Sequence, residues 1–197
     1  MHTQHIAQHL TRGLVAIAAV MLLVIGAFAQ APAKIYGLTI PDQVSGLARE
    51  QVSDFEMKAP GLGYSVRFSR PPLRADVYIY DFQLKVIPAD LESPTMQNQI
   101  ARAKGDIFGL ERRGQYSNVD EKDEFKIGDA GKTRFACSEF SYSQVDKQGQ
   151  QVESYLCLTS WNNKFVKIRM TAAKGEISRA DLTSFVEAWI SLLSTSG

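Results

Sequence analysis

Four groups of side chains in this sequence have the types and spacing to do chemistry. Asp120, Glu121, Asp123 and Glu124 form an acidic run that could offer oxygen ligands to a hard cation such as calcium. The run lacks the regularly spaced ligands and the glycine turn of a calcium loop, so a solvated turn is the plainer reading. Arg67, Arg70 and Arg74 gather around Pro71-Pro72, near Tyr64, Phe68 and Tyr78. Guanidinium forks in such a cluster can clamp an anionic group or a partner, or they can simply guard a sheet edge with charge. Glu139 and Glu153 form the third group, two carboxylates that would make an acid/base pair if brought together. Cross-strand pairing with Lys167 or Arg169 accounts for them more simply. Cys137 and Cys157, the only two cysteines, are the fourth.

What is missing weighs more than what is present. All three histidines, His2, His5 and His9, lie in the first 29 residues. Those residues read as an export leader: a mildly basic start with Arg12, the unbroken apolar run Leu14–Ile25, then Gly26 and the small residues Ala27 and Ala29 flanking Phe28. Cleavage between Ala29 and Gln30 would leave a chain of about 168 residues with no histidine, the size of one domain. The alternative is an uncleaved anchor, although the apolar run falls short of the roughly 20 residues of a spanning helix. A histidine-free chain excludes Ser-His-Asp and Cys-His nucleophilic catalysis, histidine-based zinc sites and the usual general base at neutral pH. Setting Arg12 aside from the 22 Lys and Arg balances the 21 Asp and Glu, which leaves no electrostatic footprint for nucleic acid. No catalytic residue, cofactor or metal ligand is assigned.

Export gives the cysteines their meaning, because an oxidising compartment turns a cross-strand pair into a disulfide. The alternative is two reduced, buried thiols acting as small hydrophobes. A redox-catalytic role does not fit, since the pair lacks the C-x-x-C spacing that lowers a thiol pKa.

The elements that must position these groups centre on Lys132–Thr171. Turn formers at Asp146–Gly149 and Asn162–Asn163 cut this stretch into three β-rich runs, a meander. A first hairpin centred near Lys147 sets Cys137 opposite Cys157, Phe135 opposite Thr159 and Glu139 opposite Tyr155, with Phe140, Tyr142, Val152, Leu156 and Leu158 on the other face. A two-residue Asn-Asn turn puts Val166, Ile168 and Met170 on the cysteine face; a three-residue loop would invert them. Apolar residues on both faces imply that both are covered.

Before the meander, Gln30–Lys34 reads as a flexible lead-in and Ile35–Pro41 as one strand. Gln51–Lys58 reads as a bulged strand rather than a helix, followed by a Pro60–Gly63 turn. Tyr64–Ser69 and Arg74–Val86 read as two further strands either side of Pro71-Pro72, making a second set closed by Pro88. Ser93 and Pro94 open a helix with an apolar stripe at Met96, Ile100, Ala103, Ile107 and Leu110, ended by Gly114. Gly105 inside it reads as a close approach to the sheet. Tyr116–Ile127 is a loop or edge strand. A last helix over Ser178–Leu193 has a capping box at Ser178 and Asp181 and a stripe of Leu182, Phe185, Trp189 and Leu192.

The paired strands GYSVRFSRP and RADVYIYDF before the first helix, then ACSEFSY, ESYLCLTSW and KFVKIRM before the last, resemble the PsbP-like superfamily, which takes in the Mog-type and DcrB-type proteins. The resemblance spans roughly Ile35 to Leu193. It implies an α+β fold, an α/β/α sandwich around a mainly antiparallel sheet, and a protein that acts as an accessory, assembly or binding factor. The leader fits a bacterial envelope protein, so no photosynthetic role is carried over.

The expected protein is therefore periplasmic or secreted, a single domain over 35–197, and non-enzymatic. Its partner is a protein or small molecule of the cell envelope, and it meets a membrane only through an uncleaved leader. The competing expectation is a histidine-free hydrolase or glycosidase that uses carboxylates within about 10 Å of each other.

Overall fold

The computed structural model describes residues 32–129 and 132–195; the expected leader and the expected Ala29/Gln30 cleavage point lie outside them. Strands β1 (Ala33–Ile35) and β2 (Leu38–Ile40) form a small hairpin. Tyr36 and Gly37, with φ of 49° and 86°, turn the chain where a single strand over Ile35–Pro41 was expected, and Ala33 and Lys34 belong to that hairpin rather than to a flexible lead-in. Strand β3 (Gln43–Val44) leads into β4 (Leu47–Asp54), which carries a bulge between Arg49 and Gln51. The expected bulged strand is thus real but sits earlier in the chain. After Asp54 its carboxylate captures the Glu56 amide at 2.8 Å and bends the backbone away.

The next turn explains the run Pro60-Gly61-Leu62-Gly63. A Cβ on Gly63 would lie 1.9 Å from the Ile79 carbonyl oxygen, so only glycine lets this turn pack under the strand two elements on. Strand β5 (Tyr64–Arg70) buries Val66 and Phe68 as its alternation predicts. Strand β6 (Leu73–Tyr80) stops at Tyr80, short of the expected Val86. The Gly61 carbonyl accepts from Phe82 N at 2.7 Å and the Asp81 carboxylate from Gln83 N at 2.7 Å. These bonds force Phe82 and Gln83 into left-handed φ and end the strand.

Helix α1 (Pro94–Arg112) starts as its sequence predicts, with the Ser93 hydroxyl accepting from Met96 N. No atom lies within 4 Å of a Cβ built on Gly105, so that glycine marks no close approach to the sheet. The chain then makes the long strands β7 (Tyr116–Asp129), β8 (Lys132–Gln144), β9 (Gln150–Trp161) and β10 (Lys164–Ala173). Helix α2 (Arg179–Thr195) closes the described chain, its Ser178 and Asp181 exchanging the hydrogen bonds of a capping box.

The meander has the expected register. Cys137 faces Cys157 and Glu139 faces Tyr155. Asn162 and Asn163 both take positive φ, as a two-residue hairpin turn requires, and the ladder resumes at Lys164 opposite Trp161. The N-terminal strands do not form a separate set. β6 pairs with β10 from Tyr80↔Phe165 to Arg74↔Thr171, which fuses both halves into one eight-stranded antiparallel sheet, β3-β4-β5-β6-β10-β9-β8-β7. The fold is α+β, with a helix on each face of that sheet.

One face and α2 make the larger core. Val66, Phe68, Val77, Ile79, Val166, Ile168 and Met170 meet Leu182, Phe185, Val186, Trp189 and Leu193 there, all buried. Phe68 sits edge-on to Phe185 and Trp189, with centroids 5.7 and 6.2 Å away. Cys137 and Cys157 form a disulfide inside this layer, Cα atoms 4.1 Å apart. The other face is covered by α1 through Ala103 and Ile107 on Phe140, Tyr142, Val152 and Leu156, and through Met96 on Tyr80, Leu158 and Phe165. Helix α1 packs chiefly on β7 and β9 and touches β6 and β10 near Tyr80 and Phe165, so an open part of the face remains over Tyr78 and Lys167.

Candidate functional site

The open part of the α1 face is where charge collects. The alternation that buries Val77 and Ile79 turns Arg74, Asp76, Tyr78 and Tyr80 onto this face, and Arg67, Lys167 and Arg169 join them from the flanking strands. Asp76, only 6% exposed, accepts from Arg67 Nε at 2.8 Å and from Arg74 Nε at 3.0 Å. Arg70, one residue out of phase, points to the opposite face and reaches Asp181 of α2 at 3.7 Å. The expected arginine cluster is therefore split, and its two remaining members are held by a carboxylate of their own.

Arg169 is half-buried without a carboxylate partner among the described residues. Its guanidinium donates to Ser154 Oγ at 3.2 Å, Tyr142 OH at 3.0 Å and Tyr116 OH at 3.4 Å, beside the rings of Tyr116 and Tyr142, which stack on each other with centroids 4.1 Å apart. Burial opposes its charge, but the two phenols more than offset this and its pKa is raised. Arg169 is fully committed.

Lys167 is not committed. It sits mid-strand in β10, a central strand, with its ammonium over the Tyr78 ring at 4.5 Å and within 5.8 Å of the Tyr80 ring. No ion pair or hydrogen bond holds Lys167 among the described residues. Burial pulls its pKa down; Asp106 acts against that shift, while the nearby Arg169 and Arg102 reinforce it. A cavity of about 320 Å³ opens above it, lined by Phe55, Leu62, Tyr78, Tyr80, Phe82 and Arg102 among others, with Asp106 the one carboxylate in the lining. Tyr80, whose pKa burial pushes far up, accepts from Gln99 Nε2 at 2.7 Å, and its own proton has no acceptor among the described residues. The arrangement offers one fixed ammonium, a phenol donor and an aromatic wall: the means to hold an anion attached to something apolar.

The Phe55–Gly63 loop that walls this cavity is itself clamped by Glu56. One oxygen of that carboxylate accepts from Tyr36 OH at 2.6 Å and Gly63 N at 2.9 Å, the other from Gly61 N at 2.9 Å. The Tyr36 hydroxyl first, and the Gly61 amide next, hold the Glu56 pKa below the usual 4.5. A carboxyl depressed by folding contributes stability above its unfolded pKa and loses it as the pH falls through the lowered folded value. The Gly61 and Gly63 amide resonances should accordingly titrate with an inflection below 4.5, and Tyr36→Phe should move that inflection upward by weakening the clamp.

The other expected groups are used structurally. Glu121 and Glu124 both pair with Lys104, Asp120 with Lys122, and Asp123 with Arg179, so each carboxylate of the acidic run faces a cation along edge strand β7. Glu139 is also taken by Arg179, at 3.0 Å, and Glu153 by the Gly175 amide, at 3.1 Å. Lys167 and Arg169, expected as their partners, lie on the opposite face of the sheet. A larger depression of about 460 Å³ runs along β7 to β9, but its charged lining residues Asp120, Lys122 and Lys174 are all exposed.

Sequence reading missed Lys167, Arg102 and the Tyr78/Tyr80 wall. The available signal was Lys-Ile-Arg in a strand whose other face is Val166, Ile168 and Met170: a central strand buried on both sides has no reason to carry a lysine unless something neutralises it.

The chain matches solved structures at low identity. Cyanobacterial PsbP (CyanoP) from Synechocystis is 13% identical, with a TM-score of 0.40 over 89% of this chain and 96% of that one. A protein of unknown function from Pseudomonas aeruginosa is 16% identical, with a TM-score of 0.33 over 83% of this chain and 93% of that one. No protein-family profile matches the chain, and no curated protein matches it.

Proposed function

We propose that this chain is an exported, non-catalytic binding protein that holds an anionic group on the open part of its sheet, with Lys167 as the fixed cation. The observation that carries the reading is a lysine in the middle of a central strand, largely buried, ringed by Tyr78 and Tyr80 at the floor of a cavity, and left without an ion pair. A desolvated cation of this kind costs stability in the free protein, a cost recovered when an anion arrives. Export rests on the leader, and the disulfide in the α2-side core is in keeping with it.

The hydrolase alternative needs a carboxyl group kept protonated beside a second carboxylate. Among the described residues, the carboxyls whose pKa departs from the usual range, those of Glu56, Asp81, Asp123, Glu124 and Asp181, are all displaced downward. This supports the binding reading.

The aromatic sulfonate 8-anilinonaphthalene-1-sulfonate serves as a probe. It should bind the native protein saturably, and Lys167→Met should weaken it about 10- to 100-fold, the worth of one charge-assisted hydrogen bond. The same variant should unfold no earlier than the parent, and by about 1 kcal/mol later, because it replaces an unpaired buried ion with an apolar chain of similar length. Binding unchanged in a folded Lys167→Met would remove the site.

A further inference from the structure

A second cavity, of about 350 Å³, lies on the far side of Phe82 and is lined by Leu84, Val86, Thr95, Asn98 and Phe165. The two cavities share Phe82, Gln99 and Arg102. Phe82 and Arg102 stand where the two meet, the guanidinium lying 4.3 Å from the ring centroid. Taken together they make one groove that runs from Lys167 along the N-terminal half of α1 to Val86. Its two ends are chemically unlike. The Lys167 end offers an ammonium, the Tyr80 phenol and the Arg102 guanidinium. Toward the other end the lining is Leu84 and Val86, 42% and 71% exposed, with no charged residue beyond Arg102. Leu62 and Phe55 continue the apolar rim above Lys167, 45% and 37% exposed. Four of the seven exposed large hydrophobic side chains among the described residues, Phe55, Leu62, Leu84 and Val86, line these two cavities, while Tyr36, Met57 and Val145 lie elsewhere, and such a concentration marks a surface meant to be covered.

We infer that the groove takes an amphipathic carboxylic acid, a single acyl chain whose carboxylate sits on Lys167 and whose tail passes Phe82 to lie against Leu84 and Val86. The charge at one end selects the head. A carboxylate accepts from Lys167 Nζ and the Tyr80 hydroxyl together, and the Arg102 side chain, exposed and held among the described residues by its stacking on Phe82, can turn toward it. Asp106 on the rim disfavours a more highly charged head such as a phosphomonoester. The apolar remainder selects a chain rather than a compact ring, because the two cavities adjoin end to end at Phe82 and an extended occupant reaches both. The inference deepens the anion-binding reading above and rests on it.

Displacement of the sulfonate probe by straight-chain alkanoates tests it. Affinity should rise by roughly two- to fourfold per added methylene until the groove is full, the increment of burying CH₂ groups. The alcohols of equal length should bind at least tenfold more weakly, and Lys167→Met should abolish that preference. Val86→Glu, a change at an exposed position far from Lys167, should weaken the longest alkanoates several-fold and leave the shortest and the probe unchanged. If the probe binds in a Lys167-dependent way but alkanoates do not displace it, or do so without dependence on chain length, the acyl assignment fails and the anion site stands. If anionic phospholipid vesicles displace the probe where free alkanoates do not, the occupant is a membrane surface and the assignment fails too. If the probe itself is indifferent to Lys167→Met, both readings fall together.

Discussion

Trp189→Ala is expected to cost about 3–5 kcal/mol in urea-induced unfolding, a large share of the roughly 5–15 kcal/mol that separates a native domain from its unfolded chain. Trp189 is fully buried at the centre of the α2-side core. It meets the ring of Phe68 edge-on from α2, so its removal opens a hole between helix and sheet that neighbouring strands, fixed by their ladders, cannot fill. Its indole N–H adds a second, opposite effect. Nε1 is buried and has no acceptor among the described residues, and an unmade hydrogen bond of that kind costs about 1–3 kcal/mol. Trp189→Phe removes that donor while keeping a ring in place, so it should fall within about 1.5 kcal/mol of the parent. A Phe variant as damaging as the Ala variant would show that the volume of the indole outweighs its unmade hydrogen bond.

Replacing both cysteines, Cys137→Ala with Cys157→Ala, should cost about 3 kcal/mol, the chain-entropy value for a bridge closing a loop of 20 residues. For a domain of this size that is a fall in Tm of about 6–12 °C. The bridge joins two strands already paired in register, so the native fold needs no rearrangement to lose it and the variant should keep its far-UV spectrum. Thiol labelling of denatured, unreduced protein should find neither cysteine; labelling of both would end the assignment. The consequence should extend to binding in a limited way. Cys157 neighbours Ile168 across the β9–β10 ladder, one residue from Lys167, and looser pairing there should weaken the sulfonate probe only a few-fold.

The parts of this fold that were legible in the sequence are those where one local signal decides the matter. Asn162-Asn163 allows a two-residue turn, and that turn alone settles which face holds Val166, Ile168 and Met170. Ser93-Pro94 and Ser178–Asp181 cap their helices with their own side chains. The errors come where a distant group decides. Arg74–Val86 reads as one strand because its alternation continues past Tyr80, and the carbonyl that ends it belongs to Gly61. Arg70 looks like a partner of Arg67 and Arg74 until Asp181, more than a hundred residues on, claims it from the other face. The candidate site is of this second kind. Lys167, Tyr78 and Arg102 come from β10, β6 and α1, and only the pairing of β6 with β10 brings the first two side by side.

That pairing orders events in time as well as space. Strand β6 is complete at Tyr80, yet its outer neighbour does not begin until Lys164. A nascent chain emerging from the ribosome must hold β6 with a bare flank while α1 and three further strands are made, and contacts this far apart along the chain form slowly. An unpaired flank is what invites wrong partners. A protein whose middle is sealed last gains its solid form only once the residues from Lys164 onward have been made.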